Sequence, residues 1–379
     1  MENVIHCATG KVEVYKDYVL KYSNAAYVDD FLTECMVMLN SNHHPHLGEI
    51  LELSHNGDSY TMKMPRYAKV LFESMELTFQ VVWDVVSALV YMHEELDMVH
   101  LDIHDANICI TEQGRGVLID YGHANSREVN DMGGMYVISF RPPEMYPPSF
   151  DQGYSTSDIW ALGMMWLEYM GIYVVTTILP ILYQHLKSNC TSSCFRKKSW
   201  GKLIDKAVKT SPTRGKGDFG WVIYELYKDK EEMYLEFLDR VIDQHSSDVR
   251  EVYYEVIRHM IRYDVGIRFT SRQLFECLRA FKNTHQFECH EPVLYVKPDE
   301  RDRIECDLTP EQMCIMSAVR HERADKPFMS HFIRLGLLTA ENGRQYLAAY
   351  MALKGRKSEF INKSCVINVI LHWFAKGLE

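Results

Sequence analysis

The sequence lacks an apolar run long enough to cross a bilayer. Its longest, Tyr169 to Tyr183, falls short of the roughly 20 residues a span needs and contains Pro180, so it reads as a buried helix and the turn of chain beyond it. The opening residues, MENVIHCATG, have neither the basic stretch nor the apolar core of a secretory signal. Internal repeats and low-complexity tracts are missing. So is an excess of positive charge. The net charge of −11 favours solubility and argues against nucleic acid or an anionic membrane as the main partner. Cysteines are present but unclustered. The closest pair, Cys190 and Cys194, has no second pair nearby, which excludes neither metal nor disulfide outright but points to reduced thiols. The expectation is an intracellular protein of the cytoplasm or nucleus.

What is there is a chain of 379 residues, 47% hydrophobic, enough for one large two-lobed domain or two ordinary ones. Residues 1–66 read as a small strand-rich lobe. KVEVY and YVLKY flank a turn at Lys16-Asp17 and predict a hairpin. AYVDDFLTECMVML has helical spacing, with Val28, Phe31, Leu32, Cys35, Met36 and Leu39 on one side. HHPHLGEILEL and DSYTMKM are read as further strands. Residues 67–283 read as a second, larger lobe, helical from about residue 74. TFQVVWDVVSALVYMHEEL is a long amphipathic helix, and GVLIDYG is a strand running into a turn. SDIWALGMMWLEYM opens on the helix-start residues Ser157 and Asp158, and further helices are expected at about 230–244, 248–262 and over TSRQLFECLRAFKN. Residues 187–216 are basic, with nine Lys or Arg against Asp205 alone, and are read as a solvated surface insert. Residues 284–379 read as an appended helical unit, with Thr309-Pro310-Glu311 as one helix start.

One constellation carries chemistry. HLDIHDAN places an Asp, Asp102, five residues before an Asn, Asn107. A third candidate, Asp120, lies thirteen residues further on, after the apolar Val117-Leu118-Ile119. Phosphoryl transfer needs a carboxylate to orient the attacking hydroxyl and accept its proton. It also needs a carboxylate and an amide to hold Mg²⁺ on the phosphates, and a Lys to steady them. This set, in this order, resembles the protein kinase family from about residue 3 to residue 283.

The resemblance implies a role for each matching position. Asp102 corresponds to the catalytic base and Asn107 to the metal-holding Asn. Asp120 in DYG stands for the DFG aspartate that binds Mg²⁺, and Lys21 in YVLKY for the VAIK lysine. Glu34 corresponds to the ion-pair partner of that lysine. RPPE, with Glu144, looks like the APE motif. Asp158 looks like the helix aspartate that anchors the catalytic loop, and Arg268 like the Arg that pairs with Glu144. A literal DFG at 218–220 is a decoy, because no buried strand precedes it. KMPRYAKVL and HEELDMVHLDIHDANICI look most like the divergent kinases of large DNA viruses, herpesviruses among them, and a viral chain would act in its host cell.

The pattern departs from the family in three places. Aligning Val12 with the Val that covers adenine puts Gly10 on the last glycine of the phosphate loop, with Ile5 and Cys7 replacing the other two. That weakens or reshapes the grip on ATP. Leu101 replaces the Arg that clamps a phosphorylated activation loop, which implies a constitutive or partner-controlled enzyme; Ser126, Tyr136 and Ser139 are the hydroxyls a phosphate could reach. His104 stands where Ser/Thr kinases place a Lys, and the resemblance implies a contact with the γ-phosphate.

The expected fold is α+β and bilobal, kinase-like, with a β-rich N-lobe, a helical C-lobe, ATP in the cleft and a C-terminal helical extension. The expected activity is Ser/Thr protein kinase, since Ala106 stands where tyrosine kinases favour Arg. It would use ATP and Mg²⁺, a protein substrate, and a regulatory partner at the C-terminal helices. Two alternatives stay open: a nucleotide-binding pseudokinase with a glycine-poor loop, and a small-molecule phosphotransferase of the aminoglycoside or choline kinase type, suggested by His104.

Overall fold

The structure is a computed structural model. It describes residues 3–7, 10–23, 31, 34–35, 37–38, 41, 43–56, 59–126, 140–145, 155–173, 177–182, 184, 223–224, 227, 230–244, 251–296 and 305–306. The helices expected after Thr309, the basic stretch 187–216, the second DFG at 218–220, Tyr136 and Ser139 lie outside these residues, as does the side chain of Ser126. The chain divides into two compact units. One comprises Met1–Tyr67, Ile119–Glu128 and the chain from Tyr295; the other comprises Ala68–Leu118 and Val129–Leu294. The first is β-rich and the second helical, the α+β two-lobed class expected from the sequence.

In the first unit five strands run antiparallel: β1 (Asn3–Cys7), β2 (Gly10–Val14), β3 (Tyr18–Ser23), β4 (Glu52–Asn56) and β5 (Ser59–Pro65), in the spatial order β1-β2-β3-β5-β4. The two residues Glu305–Cys306 add to the outer edge of β4 in parallel. The alternating apolar runs around Lys16-Asp17 form the β2–β3 hairpin, closed by Tyr15 N–H donating to Tyr18 O at 2.9 Å. Its register sets Lys21 opposite Val12 on one side and Met62 on the other, so the three share a face of the sheet. Phe31, Glu34, Cys35, Val37 and Met38 are helical and buried, and Cys35 Sγ lies 3.9 Å from Met62 Sδ. The strand expected across HHPHLGEILEL is confined to its end. Residues 43–48 turn instead, because His43 adopts a positive φ of 55° and Leu47 N–H closes on His44 O at 3.0 Å.

The second unit is built on α1 (Phe79–Glu94), capped by Thr78, whose hydroxyl accepts from Val81 N–H. After α1 come the short strands β7 (Met98–Val99), β8 (Ile108–Ile110) and β9 (Gly116–Leu118), with β6 (Lys69–Val70) ahead of it on the other edge of β8. Then come α2 (Ser155–Tyr169), α3 (Glu231–Asp243), α4 (Glu251–Met260) and α5 (Ser271–His285), the last opened by a Thr270–Gln273 capping box. α2 is apolar nearly all round because it is buried nearly all round, from Thr156 to Leu167. Gly163 lets α4 approach it closely: a Cβ there would stand 2.8 Å from Ile261 and 2.9 Å from Met260. Asp84 of α1, fully buried, takes both Arg115 Nε at 2.9 Å and Nη2 at 2.7 Å, which ties the β8–β9 turn to the helix. Among the described residues, no helix is long and apolar enough to cross a membrane.

Candidate functional site

The candidate residues of the first unit converge on Lys21. The β-strand carries its side chain into the core, where it is 7% exposed. Its Nζ donates to Glu34 Oε2 at 2.5 Å and to Asp120 Oδ1 at 3.1 Å. Burial by itself lowers an ammonium pKa, but the Glu34 and Asp120 carboxylates outweigh it and hold Lys21 above its ordinary value. The lysine is therefore a fixed cation. Glu34 is as buried as its partner, whereas the Asp120 side chain is 37% exposed and reachable from solvent. Asp120 sits at φ +62°, a left-handed conformation that Asp tolerates better than most residues. That turn takes the chain from the apolar Leu118-Ile119 to Tyr121. The Tyr121 ring is fully buried, and its hydroxyl accepts from Gly48 N–H at 2.9 Å. Gly10 lies at the turn end of β2 with φ +155°, and Val12 two residues on is the cross-strand neighbour of Lys21.

The second unit assembles the loop around Asp102. Asp158, within the first turn of α2, is fully buried. Its Oδ2 accepts from His100 N–H and its Oδ1 from Leu101 N–H, both at 2.8 Å. Leu101 has φ +67°, a conformation that strains a residue with a Cβ by about 1–3 kcal/mol. The paired bonds from Asp158 hold that strained backbone and so set the direction in which Asp102 leaves it. His93 of α1 braces the aspartate: its Nε2 lies 2.9 Å from Asp158 Oδ2 and its Nδ1 2.9 Å from Ser271 Oγ. Burial pushes the Asp158 carboxyl up, but the hydrogen bond from His93 and the neighbouring His100 outweigh it and hold its pKa below the ordinary aspartate value. The Leu101 side chain is buried against Val99 and Met145, packed as core rather than presented as a surface group.

Beyond Asp102 the chain makes a single 3-10 turn, Asp105–Asn107. Asn107 Nδ2 donates back to Asp102 O at 2.9 Å and to Asp102 Oδ2 at 3.1 Å. Its amide oxygen is thereby turned away from Asp102, an acceptor of the kind that suits a hard cation. The other carboxylate oxygen, Asp102 Oδ1, is buried and has no hydrogen-bond partner among the described residues. An acceptor left so in a protein interior is costly and is open to a donor from outside these residues. His104 caps the turn, its Nδ1 accepting from Ala106 N–H at 3.2 Å, and its Nε2 lies 3.5 Å from Asp102 Oδ2. Tyr169, at the end of α2, donates to Leu71 O at 3.0 Å; burial and then the adjacent Asp105 carboxylate raise its pKa.

Further along the same unit, Glu144 and Arg268 form a two-pronged ion pair across 124 residues of chain, Nη1–Oε1 at 2.6 Å and Nη2–Oε2 at 3.0 Å. Ser157 Oγ donates to Glu144 Oε1 at 2.8 Å, and Arg268 Nε to Arg262 O at 2.9 Å. The structure thus brings Lys21, Glu34 and Asp120 together in one unit, and Asp102, His104 and Asn107 together in the other. Sequence reasoning misses His93, Ser271 and Tyr169. Their signals are weak, since a His and a Ser on two different helices carry no local motif.

The protein kinase domain family matches residues 2–277. The chain is similar to dual specificity mitogen-activated protein kinase kinase 1 of Dictyostelium discoideum, 31% identical over 98 residues, covering 24% of this chain and 14% of that protein. It is similar to ribosomal protein S6 kinase alpha-4 of Mus musculus, 32% identical over 105 residues, 26% of this chain and 13% of the relative. The human cyclin-dependent kinase-like 4 is 27% identical over 198 residues, 52% of this chain and 47% of the relative. The matched stretches therefore span between about a tenth and about a half of these relatives' lengths.

Proposed function

The chain belongs to the protein kinase family, and on that premise we propose that it is a Ser/Thr protein kinase that transfers the γ-phosphate of Mg-ATP to protein hydroxyls. The observation that carries this reading is the buried Lys21, ion-paired at once to Glu34 and Asp120. A protein that had abandoned nucleotide chemistry has no reason to keep a buried cation between two carboxylates, since replacing the whole arrangement with well-packed apolar groups costs little. In this reading Lys21 steadies the ATP phosphates, with Glu34 fixing its direction. Gly10 and Val12 lie over the nucleotide. Asn107 and Asp120 are the residues whose oxygens would hold Mg²⁺, which neutralises developing charge on the phosphates when bound. Asp102 accepts the proton of the attacking hydroxyl at Oδ1 while Asn107 keeps Oδ2 in place.

The protein substrate, rather than a small molecule, is favoured by the Glu144–Arg268 pair, which braces the end of an activation segment that small-molecule phosphotransferases lack. Ser/Thr preference rests on Ala106. Control without activation-loop phosphorylation is supported by the burial of Leu101, which leaves no cation there to clamp a phosphate. The affinity with kinases of large DNA viruses rests on KMPRYAKVL and HEELDMVHLDIHDANICI alone. A nucleotide-binding pseudokinase is the second reading, because Ile5 and Cys7 stand in β1 where glycines would let the backbone reach phosphate.

The test is phosphate transfer from Mg-ATP to a generic basic or acidic protein, with Asp102→Asn as the control. Transfer to Ser or Thr that falls by about 10²–10⁴ in the variant is the expected result. ATP that raises the melting temperature without transfer favours the pseudokinase. If ATP has no effect on melting, the assignment of Lys21 and Asp120 is wrong.

A further inference from the structure

We propose that His104 is a positioning residue for the transfer step, one that aims the Asp102 carboxylate and closes the turn carrying Asn107, and that it does not act on the transferred phosphate. This inference rests on the kinase reading of the site. It differs from the role that resemblance to the family's lysine implies.

One ring nitrogen is bonded inside the loop and the other faces the Asp102 carboxylate. Nδ1 accepts the Ala106 N–H at 3.2 Å, so a neutral ring carries its proton on Nε2, an assignment that rests on the hydrogen-bond network. That nitrogen faces Asp102 Oδ2 at 3.5 Å. The side chain is only 15% exposed, and the Asp102 side chain 13%. The turn is closed a second time through the backbone, Asn107 N–H donating to His104 O at 3.0 Å.

Asp102 is held from several directions. Its N–H donates to His100 Nδ1 at 3.3 Å, Asn107 Nδ2 bonds both its carbonyl and Oδ2, and His104 Nε2 flanks Oδ2. Two of these contacts hold the backbone and two meet at Oδ2, which leaves Oδ1 as the carboxylate oxygen without a partner among the described residues. A base fixed through Oδ2 presents Oδ1 to the hydroxyl in a single orientation. Loss of that fixation misplaces the base, and a misplacement of about 1 Å costs roughly 10² in rate.

A lysine at this position offers donors only. It cannot accept the Ala106 N–H, so the turn would lose its cap. An asparagine is a good cap residue but is too short to flank Asp102 Oδ2. The three substitutions His104→Ala, His104→Asn and His104→Lys therefore separate the two readings.

The experiment measures kcat and the KM for ATP of the full chain and these variants, with thermal melting as the check on folding. We expect His104→Ala and His104→Lys each to lose about 10² in kcat while KM for ATP stays within about three-fold. His104→Asn is expected to regain about ten-fold over His104→Ala, through the restored cap. A His104→Lys variant that equals or exceeds the wild type overturns the proposal, as does a rise in KM at unchanged kcat, since either makes the side chain a phosphate-binding group. Should His104→Ala and His104→Lys fail to fold, His104→Asn decides: reduced kcat supports the aiming of Asp102, and wild-type kcat overturns it. A wild type that transfers no phosphate overturns the kinase reading and this inference with it, whereas an active wild type with an indifferent His104 overturns this inference alone.

Discussion

Replacing Lys21 by Met cuts the ion pair at the centre of the first unit while keeping a flexible side chain of similar length in its place. Lys21 is 7% exposed and Glu34 3%, so the substitution takes the cation away from a buried carboxylate. Removing one partner of a buried pair costs about 3–5 kcal/mol. The Lys21–Asp120 contact adds little, because Asp120 is 37% exposed and water replaces the lost cation, an effect of about 0–1 kcal/mol. Nearly all of the loss therefore runs through Glu34. At roughly 2–4 °C per kcal/mol, the melting temperature should fall by roughly 6–20 °C.

Adding Glu34→Gln removes the buried charge that Lys21 offsets. The double variant should regain at least half of the loss in stability yet still transfer no phosphate. Lys21 is held above its ordinary pKa of 10.5. Its contribution is therefore complete below about pH 10.5, so an assay at neutral pH sees all of it, and it is lost only as pH rises through the folded value. Melting curves of the wild type, Lys21→Met and the double variant, read beside phosphate transfer, decide the matter. A Lys21→Met variant that melts with the wild type, or a double variant that melts below the single one, refutes the account of a closed buried pair.

The second unit supports two more expectations. Asp158 has a folded pKa below its ordinary 3.8, so the stability it contributes is fully present above that value and is lost as pH falls through the depressed one. Urea unfolding from pH 5 to pH 2 should therefore show a steeper acid loss in the wild type than in Asp158→Asn, although the variant is the less stable of the two at pH 7. The segment after α5 is strapped to α1: Gln80 exchanges hydrogen bonds with the backbone of His290, Ser87 Oγ donates to Val293 O, and Phe287 stacks 5.2 Å from Phe79. Phe287→Ala should destabilise by roughly 1–3 kcal/mol, less than the about 3–5 of a fully buried Phe, and calorimetry on the full chain checks it. No change on substitution would mean that the strap carries no stability.

Much of the site is legible along the chain. Lys21, Glu34, Asp102, Asn107, Asp120, Glu144, Asp158 and Arg268 are candidates because their order and spacing resemble those of the protein kinase family. The β2–β3 hairpin, α1 and α5 are readable from periodicity and caps, which depend on neighbours a few residues away. Asp158 is less clear, since an aspartate near a helix start is usually a cap. Its fully buried position and its bonds to His100 and Leu101 make it an anchor instead. The turn over residues 43–48 reads wrongly as strand, because its apolar pattern fits either state and His43 accepts the left-handed backbone only in context.

The sequence by itself determined which groups are available, because residue type and local spacing decide charge, hydrogen-bonding capacity and secondary structure. Tertiary structure decided what each group faces, including the pairs that resemblance to the family led us to expect. Lys21 meets Asp120 across 99 residues and Arg268 meets Glu144 across 124, distances that no local pattern encodes. It also decided that Leu101 is core, that the Tyr121 hydroxyl has Gly48 as its donor, and that His104 turns one nitrogen to Ala106 and the other towards Asp102. Each of these depends on the packing of remote segments, whose contacts form together when apolar surface is buried and not one at a time along the chain.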